Sequence, residues 1–517
     1  MFSEKDLQHI SAKGIRKEAI IRHIEHFKKG FPFVVLDAPA INGNGIKVFT
    51  KNETGDLCRK YDKYVASGTN VMKFVPASGA ATRMFKTLFS FTEWYKNTEH
   101  DYEKYLSDKS FNSVFNFISN IKKFAFYDDL KSALKKNNLD IDICLKEKKY
   151  NEIINCLLKV EGLDYGNLPK GLLKFHKYEN SNRTSLEEHL VEGANYCKCC
   201  GNTVSIHFTF SPEHIERFVE HINSVLPSYE KMFKVKFMIS YSVQKSSTDT
   251  VAVDMKNELF REKDGSIHFR PAGHGALIEN LNDIKGEIIF IKNIDNVVPD
   301  IYKETTYTYK KVLAGYLIEI REKIKNYLQK LENNINDKKI DEIKEFSMKT
   351  LCIGFPEYFD EKEKDEKIKY LFNVLNRPVR ICGMVKNEGE PGGGPFWVKD
   401  KNGQISLQVV ETSQINMNDG EQKEIHKAST HFNPVDLVCN VRNYKNIPFK
   451  LLDFTDPDTG FISTKSKDGT EIKALELPGL WNGAMAKWIT IFAEVPLITF
   501  NPVKTINDLL RKEHLNQ

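Results

Sequence analysis

One short segment constrains the fold and the function of this chain more than any other. Residues 71–75 are an apolar run typical of a buried strand, residues 76–81 are small, and a helix is predicted to begin near Thr82. Small side chains let a phosphate approach the backbone, and the free N–H groups of a helix N-terminus attract an anion. Arg83 adds a cation with bidentate donors. The segment therefore predicts either a phosphate-binding loop or an ordinary strand-to-helix turn.

Strand-like and helix-like segments alternate in the chain beyond this loop. Residues 205–210, 235–241 and 288–291 have strand composition, and the last run is continuously apolar, as in strands buried on both faces of a parallel sheet. Thr184 followed by Glu187 has the spacing of a capping box and predicts a helix start. This alternation predicts an α/β fold with a mostly parallel mixed sheet.

The remaining segments suggest how this core is extended. Residues 1–60 are predicted to be an N-terminal helical segment that packs on the core, and residues 61–517 are predicted to form one large domain. Within it, residues from about 87 to 160 and from about 301 to 371 have helical periodicity and are interpreted as two helical insertions. Residues 378–517, richer in turns, form its C-terminal part.

Composition narrows the class of protein. A net charge of +5, from 75 Lys and Arg against 70 Asp and Glu, gives little support for nucleic-acid binding. The N-terminus lacks the apolar core of a signal peptide, and no run of 18 apolar residues predicts a membrane span. Nine cysteines, scattered except for Cys197-Lys-Cys-Cys200, favour reduced thiols in a chain without a secretion signal. We therefore expect a cytoplasmic protein that acts on small molecules; its oligomeric state is not predicted.

Five short motifs follow one another in a recognisable order. They are Gly79-Ala-Ala-Thr-Arg83, Pro169-Lys170, Gly273-His-Gly275, Asp295 at a strand end, and Pro502-Val-Lys504 with Asp508-Leu509. In this order they resemble the motifs of the sugar-1-phosphate nucleotidyltransferases, and most closely those of the UDP-sugar pyrophosphorylases. That resemblance implies a nucleotide-diphospho-sugar transferase fold, of the GT-A or Rossmann-like type. From residues 292–297 and 478–485 the chain is also identified as a member of the bacterial family called domain of unknown function 4301.

The resemblance implies roles for individual residues. Arg83, Lys170 and Lys504 would be catalytic cations: Arg83 holds the triphosphate, Lys170 neutralises the departing pyrophosphate, and Lys504 bridges the reacting phosphates. Asp295 would bind Mg²⁺, which takes one or two protein carboxylates and fills its other positions with phosphate and water. The nucleotide-binding residues would be Ala77, Ser78, Gly79, Ala80, Ala81, Thr82, Gly273, His274 and Gly275.

A third set of residues has the chemistry of a sugar site. Trp481 offers an aromatic face, and Asn482 and Glu411 offer polar groups to a ring rich in hydroxyls. Structural alternatives stay open for every candidate: a surface lysine at Lys170 or Lys504, and a turn-capping carboxylate at Asp295. For His274 and Trp481 the alternative is packing in a core.

The chemistry of such a reaction fits this sparse set of residues. A sugar-phosphate oxygen attacks the α-phosphorus of a nucleoside triphosphate, and pyrophosphate leaves. The nucleophile is already an anion, so alignment and charge neutralisation suffice. The motifs and this chemistry favour a nucleotidyltransferase that joins a nucleoside triphosphate to a sugar 1-phosphate, and the resemblance implies that the triphosphate is UTP. The alternatives are a glycosyltransferase of the same fold and an inactive nucleotide-sugar-binding or regulatory protein.

One residue departs from the family pattern. Ala81 stands where the resemblance leads us to expect a second loop glycine. If the backbone there had a positive φ, alanine would be strained. Ala81 therefore favours the inactive, regulatory hypothesis.

Overall fold

A computed structural model describes residues 2–77, 81–333, 335–389, 392–467 and 469–516. The chain divides into two compact units, each built from segments that are distant in sequence. Unit 1 comprises Met1–Phe74, Ser242–Ile291 and Tyr309–Pro496, and unit 2 comprises Val75–Tyr241, Lys292–Thr308 and Leu497–Gln517. The sequence-based boundary at residue 60 stays a prediction.

Helices and strands alternate along most of the chain. The α-helices are α1 Glu4–Ala12, α2 Lys17–Lys29, α3 Lys51–Ala66, α4 Lys86–Trp94, α5 Glu99–Ser107, α6 Val114–Ser119, α7 Tyr127–Lys136, α8 Ile141–Lys146, α9 Tyr150–Leu158, α10 Ser185–Tyr196, α11 Ile215–Phe233, α12 Leu277–Asp283, α13 Asp300–Leu331, α14 Asp337–Lys349, α15 Lys364–Leu375 and α16 Gly420–Lys427. The strands are β1 Val35–Pro39, β2 Ile41–Asn42, β3 Gly45–Lys47, β4 Val71–Pro76, β5 Lys174–His176, β6 Arg183–Thr184, β7 Thr203–Phe210, β8 Lys236–Val243, β9 Thr250–Val253, β10 Phe269–Arg270, β11 Ile288–Lys292, β12 Val379–Lys386, β13 Gly393–Lys399, β14 Ile405–Glu411, β15 His431–Phe432, β16 Asp436–Asn440, β17 Phe461–Lys467, β18 Thr470–Glu476 and β19 Ile489–Glu494. Among the described residues, no helix combines the length and the apolar character needed to cross a membrane.

The main sheet of unit 1 is mixed and mostly parallel. Its strands follow the order β2-β3-β19-β12-β16-β11-β4. β11 runs parallel to β4, with Ile288 opposite Val71, and β12 runs parallel to β19, whereas β16 is antiparallel to β12. Every residue of β11 is buried, as expected for a continuously apolar strand covered on both faces. The predicted α/β class and mostly parallel sheet are confirmed.

Two smaller sheets and the N-terminal helices complete unit 1. One sheet has the order β1-β13-β14 and the other has the order β10-β9-β18-β17. The apolar faces of α1 and α2 bury Ile10, Ile20 and Phe27 in a cluster with Val251 of β9. Residues 35–47, inside the predicted N-terminal helical segment, instead form β1 to β3. Phe33, Val34 and Val35 are aromatic or β-branched, a composition that favours strands.

Unit 2 is mainly helical. Helices α4 to α9 occupy the segment between residues 86 and 158, where the sequence predicts helices, and share one apolar cluster with Phe85 and Val503. The predicted capping box is present at the start of α10, where Thr184 accepts from the backbone N–H of Glu187. Strands β7 and β8 are neighbours in this unit. The second predicted helical segment, from about 301 to 371, contains α13, α14 and much of α15, and its residues from Tyr309 onwards belong to unit 1.

A close helix contact in unit 1 allows a test of this packing. A Cβ at Gly315 of α13 would lie 2.1 Å from the carbonyl oxygen of Leu57 in α3. Because backbone cannot move aside as a flexible side chain can, we expect Gly315→Ala to lower the free energy of unfolding by about 1–3 kcal/mol. Urea denaturation would measure this loss.

Gly420, at the start of α16, is the matched control. A Cβ there meets nothing within 4 Å. We expect Gly420→Ala to change the stability by less than about 1 kcal/mol. Equal stabilities for the two variants would contradict the close approach of α13 and α3.

Candidate functional site

The C-terminal segment of unit 2 lies against the turn that follows β11. Asp295 comes three residues after the end of β11, and its carbonyl oxygen accepts a hydrogen bond from the N–H of Val503 at 3.1 Å. The N–H of Asn501 donates to Oδ1 of Asn296 at 2.9 Å. These bonds hold the Pro502-Val-Lys504 motif beside Asp295, although the two segments are more than 200 residues apart.

A cluster of two lysines and one carboxylate forms at this place. Nζ of Lys170 lies 2.7 Å from Oδ2 of Asp295 and also donates to the carbonyl oxygen of Val503 at 2.7 Å. Nζ of Lys504 lies 3.3 Å from the same carboxylate oxygen. Three predicted site residues therefore lie together, and the cluster carries one net positive charge.

The electrostatics of the cluster keep Asp295 ionised. Its side chain is only 10% exposed, and such burial alone would raise its pKa. The charges of Lys170 and Lys504 outweigh the burial and hold the pKa of Asp295 below its ordinary value. Oδ1 of Asp295 is buried and has no hydrogen-bond partner among the described residues. This oxygen is thus available to a further ligand.

Lys170 and Lys504 differ in their exposure. The side chain of Lys170 is 14% exposed, and that of Lys504 is 61% exposed. Asp508 lies in the short 3-10 helix Ile506–Leu510. Its Oδ2 accepts hydrogen bonds from the backbone N–H groups of Lys504 and Thr505 at 2.8 and 2.7 Å. The backbone at Lys504 is therefore fixed while its ammonium group faces solvent. Lys170 is therefore enclosed, as expected for a structural cation, whereas Lys504 is accessible to a ligand.

The predicted phosphate-binding loop is described at its two ends. Ser78, Gly79 and Ala80 lie outside the described residues. The N–H of Ala77 donates to the carbonyl oxygen of Thr209 at 3.0 Å, and the N–H of Ala81 donates to that of Leu168 at 3.3 Å. Because these two N–H groups bind protein oxygens, they are not open to a phosphate.

The helix that follows this loop differs from the expectation. A 3-10 helix spans Ala81–Phe85, and the α-helix α4 begins only at Lys86. Since φ is negative in a 3-10 helix, an alanine is tolerated at position 81 without the strain that we considered. Thr82 and Arg83 are exposed on this helix, and Arg83 forms no ion pair with any described residue. Arg83 is therefore a cation accessible to a ligand.

A buried polar network supports the C-terminal segment of unit 2. Glu188 of α10 is fully buried, pairs with Lys303 and accepts from Nδ1 of His176 at 2.8 Å. Burial would raise the pKa of Glu188, but Lys303 and His176 hold it below its ordinary value. Nε2 of His176 lies 3.0 Å from Nδ1 of His514, near the C-terminus. We did not predict this network from the sequence. The available signal was the presence of charged residues such as Glu188 in the helix predicted to begin after Thr184.

The predicted Gly-His-Gly motif lies in unit 1. Gly273 has a φ of 77°, and a Cβ there would lie 2.9 Å from Oε2 of Glu476. A Cβ at Gly275 would lie 2.2 Å from the carbonyl oxygen of Pro478. Both glycines therefore allow residues 476–478 to approach the motif, a structural requirement that we did not foresee.

His274 and Trp481 form a stacked pair in unit 1. Their ring centroids are 4.0 Å apart and their planes differ by 10°. The backbone N–H of Leu480 donates to Nδ1 of His274 at 3.0 Å. Burial lowers the pKa of His274 to about 4, so at neutral pH the ring is uncharged and carries its proton on Nε2. His274 can thus donate a hydrogen bond from Nε2.

The other two predicted sugar-site residues, Glu411 and Asn482, are joined by a side-chain hydrogen bond, and Asn482 directly follows Trp481 in the sequence. Nδ2 of Asn482 donates to Oε1 of Glu411 at 3.0 Å and reaches Oε1 of Gln414 at 3.5 Å. Oδ1 of Asn482 is buried without a partner among the described residues. The structure thus brings together Glu411 and Asn482, and adds Gln414 and Glu476 as neighbours of the predicted residues.

The predicted metal site has one carboxylate. Within the described ranges, no group of three or more His, Cys, Asp or Glu side chains is arranged to hold a metal ion. Mg²⁺ is nevertheless often held by one or two carboxylates together with substrate phosphates. The open Oδ1 of Asp295 fits that mode, and Lys170 and Lys504 occupy the opposite oxygen.

The buried pair of Lys170 and Asp295 gives a prediction about stability. We expect Lys170→Ala to lower the free energy of unfolding at pH 7 by about 3 kcal/mol, because it leaves a buried carboxylate with only the more distant cation. Since the folded pKa of Asp295 is depressed, the stabilisation is complete at neutral pH and is lost as pH falls through that pKa. The difference between variant and wild type should therefore shrink in acid, as measured by urea denaturation at several pH values.

Lys174 supplies the matched control in the same segment. It pairs with Asp129 at 2.5 Å, but these side chains are 31% and 40% exposed. We expect Lys174→Ala to cost less than about 1 kcal/mol at any pH. If both variants were equally stable, Lys170 would not be the structural cation of the cluster.

Solved structures similar to this chain include two UDP-sugar pyrophosphorylases and a CTP transferase, each of low sequence identity. A variant of UDP-glucose pyrophosphorylase from Leishmania major, in complex with UDP-glucose, is 13% identical over 98% of this chain and 77% of that chain, with a TM-score of 0.43. The UDP-N-acetylglucosamine pyrophosphorylase from Trypanosoma brucei, in complex with an inhibitor, is 11% identical over 98% of this chain and 79% of that chain, with a TM-score of 0.47. The inositol-1-phosphate CTP transferase from T. maritima is 10% identical over 68% of this chain and 86% of that chain, with a TM-score of 0.27.

Sequence comparison places the chain in a family. No curated protein matches it. The model of the family described as domain of unknown function DUF4301 matches residues 3–515, almost the whole sequence. The chain therefore belongs to the DUF4301 family.

Proposed function

We propose that this protein is a Mg²⁺-dependent nucleotidyltransferase that joins a nucleoside triphosphate to a sugar 1-phosphate and releases pyrophosphate. The observation that carries the proposal is the cluster of Lys170, Asp295 and Lys504 after the end of β11. Ligands of open α/β sheets gather at the carboxyl ends of strands. The order of the five motifs adds support from the sequence, and UTP is the triphosphate that this resemblance favours.

The charges of the cluster suit the reaction. The phosphate oxygen that attacks is already an anion, so the protein must align two anions and neutralise the charge between them. The ammonium group of Lys504 is exposed on a fixed backbone and would contact the reacting phosphates. Lys170 would hold the Asp295 carboxylate in place and keep it ionised. Arg83 would bind the outer phosphates of the triphosphate.

Mg²⁺ is the cofactor of this proposal. When bound, it would neutralise charge on the phosphates. Oδ1 of Asp295 would be its protein ligand. We also propose a cytoplasmic location.

Unit 1 contains a separate set of residues that the resemblance assigns to nucleotide and sugar binding. We propose that Nε2–H of His274 and the face of Trp481 meet the ring of a ligand bound to unit 1. Asn482, oriented by Glu411, would meet a sugar hydroxyl. Gly273 and Gly275 would contribute by keeping the loop of residues 476–478 close to His274.

Binding without turnover is the second candidate function. The N–H groups of Ala77 and Ala81 bind protein oxygens, which removes two of the donors that we expected for the triphosphate. A protein that holds a nucleotide sugar through unit 1 needs fewer such donors. Binding of nucleotide sugars with no pyrophosphate release would favour this candidate.

The direct test is a pyrophosphate-release assay. We expect release with UTP and at least one sugar 1-phosphate, and we expect chelation of Mg²⁺ by EDTA to abolish it. The panel should contain each of the four ribonucleoside triphosphates and several sugar 1-phosphates. If no combination releases pyrophosphate in the presence of Mg²⁺, the proposed activity is wrong.

Lys504 provides a sharper test of the cluster. Removal of one preorganised electrostatic contact to a transition state typically costs 10²–10³ in kcat. We expect Lys504→Ala to lower kcat by about 10²-fold or more while lowering the free energy of unfolding by less than about 1 kcal/mol, because the side chain is largely exposed.

Lys512 offers the control for the charge change. It is an exposed lysine of the same C-terminal segment. Lys512→Ala should retain kcat within about twofold, as expected for a surface lysine away from the site. Wild-type kcat in Lys504→Ala would show that the reaction takes place elsewhere.

A further inference from the structure

A basic pocket lies in unit 1 at the edge of the sheet where the parallel strands begin. Its volume is about 380 Å³. Glu287, which lines it, directly precedes β11, whereas Asp295 follows the other end of that strand. Asn440, at the end of β16, donates to the carbonyl oxygen of Glu287 at 3.0 Å and fixes this edge. The pocket is therefore separate from the cluster of Lys170, Asp295 and Lys504.

The lining of the pocket has an excess of positive charge. Four cations line it, Arg321, Lys325, Arg377 and Arg442, against the two carboxylates Glu287 and Glu322. Both carboxylates already have cations as partners: Glu287 lies 3.4 Å from Arg321, and Glu322 lies 3.0 Å from Lys60.

Two of the arginines have no carboxylate partner in the part of the chain that the structure describes. Nε of Arg377 donates to the carbonyl oxygen of Asn373 at 3.1 Å. Arg442 donates to the carbonyl oxygens of Asn446 and Lys285 at 2.9 and 3.2 Å. Both side chains are half-buried, and burial lowers the pKa of Arg377 from its ordinary value. Both guanidinium groups are partly desolvated and face one pocket without a counterion among the described residues. This arrangement costs folding free energy, and a bound anion would offset that cost.

Local hydrogen bonds fix the backbone and the side chains that line the pocket. Oδ1 of Asn443 accepts from the N–H groups of Lys445 and Ile447 at 3.0 Å each, which orders the turn after Arg442. Nη1 of Arg321 donates to the hydroxyl of Tyr64 at 2.7 Å. A site whose donors are already oriented loses little entropy on binding.

We propose that this pocket binds a small phosphate monoester, with the phosphate between Arg377 and Arg442. Two guanidinium groups match the double negative charge of a phosphate monoester, and their N–H groups can donate to its oxygens. The aromatic rings of Tyr444 and Phe449 line the same pocket and would contact the organic part. A volume of about 380 Å³ suits a sugar phosphate or a nucleoside monophosphate.

Calorimetric titration of the full-length protein with three probes tests the proposal. The probes are inorganic phosphate, glucose 6-phosphate and UMP. We expect saturable binding of at least one probe with a Kd below about 1 mM. Arg377→Gln should weaken that binding about tenfold or more, through loss of a charge-assisted hydrogen bond. The probe with the lowest Kd shows whether the pocket prefers free phosphate, a sugar phosphate or a nucleotide.

Lys445→Gln is the matched control. Lys445 is an exposed cation next to the pocket that does not line it, and it pairs with Glu332 at 2.7 Å. Its substitution should leave the Kd within about twofold of the wild-type value. The proposal is overturned if no probe binds saturably, or if Arg377→Gln and Lys445→Gln bind the probe equally well.

A measurement on the wild-type protein covers the case of a variant that fails to fold. Phenylglyoxal modifies accessible arginines, and peptide mapping reads each site. The bound probe should slow modification of Arg377 and Arg442 but not that of Arg59, whose side chain is 74% exposed on α3. Equal rates with and without the probe at Arg377 and Arg442 would overturn the proposal.

Discussion

The ion pair between Lys170 and Asp295 is the interaction on which the geometry of unit 2 depends. It joins segments that are 125 residues apart, and the same ammonium group holds the carbonyl oxygen of Val503. A buried carboxylate is tolerated only when it is paired and hydrogen-bonded. The pairing therefore stabilises the turn after β11 and the C-terminal segment together. Lys504, carried by that segment, is placed beside Asp295 as a consequence.

Lys170 and Lys504 differ in solvent exposure, and this difference suits them to different roles. Lys170 is enclosed and satisfies two oxygens, so its ammonium group has little freedom to meet a substrate. Lys504 keeps most of its side chain in solvent. The buried network of Glu188, His176 and His514 supports the same C-terminal segment from within. The ion pair of Lys170 and Asp295 is rigid and neutral overall, and it lies beside one accessible cation, Lys504. Such preorganised charge is what electrostatic catalysis requires.

Local patterns in the sequence predicted much of this fold. The apolar run at residues 288–291 identified β11, and the spacing of Thr184 and Glu187 identified the start of α10, because both signals are contained in a few neighbouring residues. The helix near Thr82 was only partly right, since a 3-10 helix comes first. That segment is shaped by the hydrogen bond from Ala81 to Leu168, a contact over 87 residues that no local pattern reports.

The candidate site shows the same limit. The order of the motifs identified Lys170, Asp295 and Lys504 as a group, but not the shared carboxylate oxygen or the enclosure of Lys170. The glycines of the Gly-His-Gly motif were expected to admit a ligand, and the structure shows protein atoms from residues 476–478 there. The arginine pocket arises from residues spread between Tyr64 and Phe449 and left no signature in the sequence.

We propose that the cluster of Lys170, Asp295 and Lys504 receives the phosphates of a nucleoside triphosphate. A crystal structure of the protein with UTP and Mg²⁺ would measure the distance between Nζ of Lys504 and the nearest phosphate oxygen. We expect a distance of about 3 Å, with the metal ion on Oδ1 of Asp295. A triphosphate bound away from Lys504, with Asp295 still paired only to its two lysines, would show that the phosphates bind elsewhere.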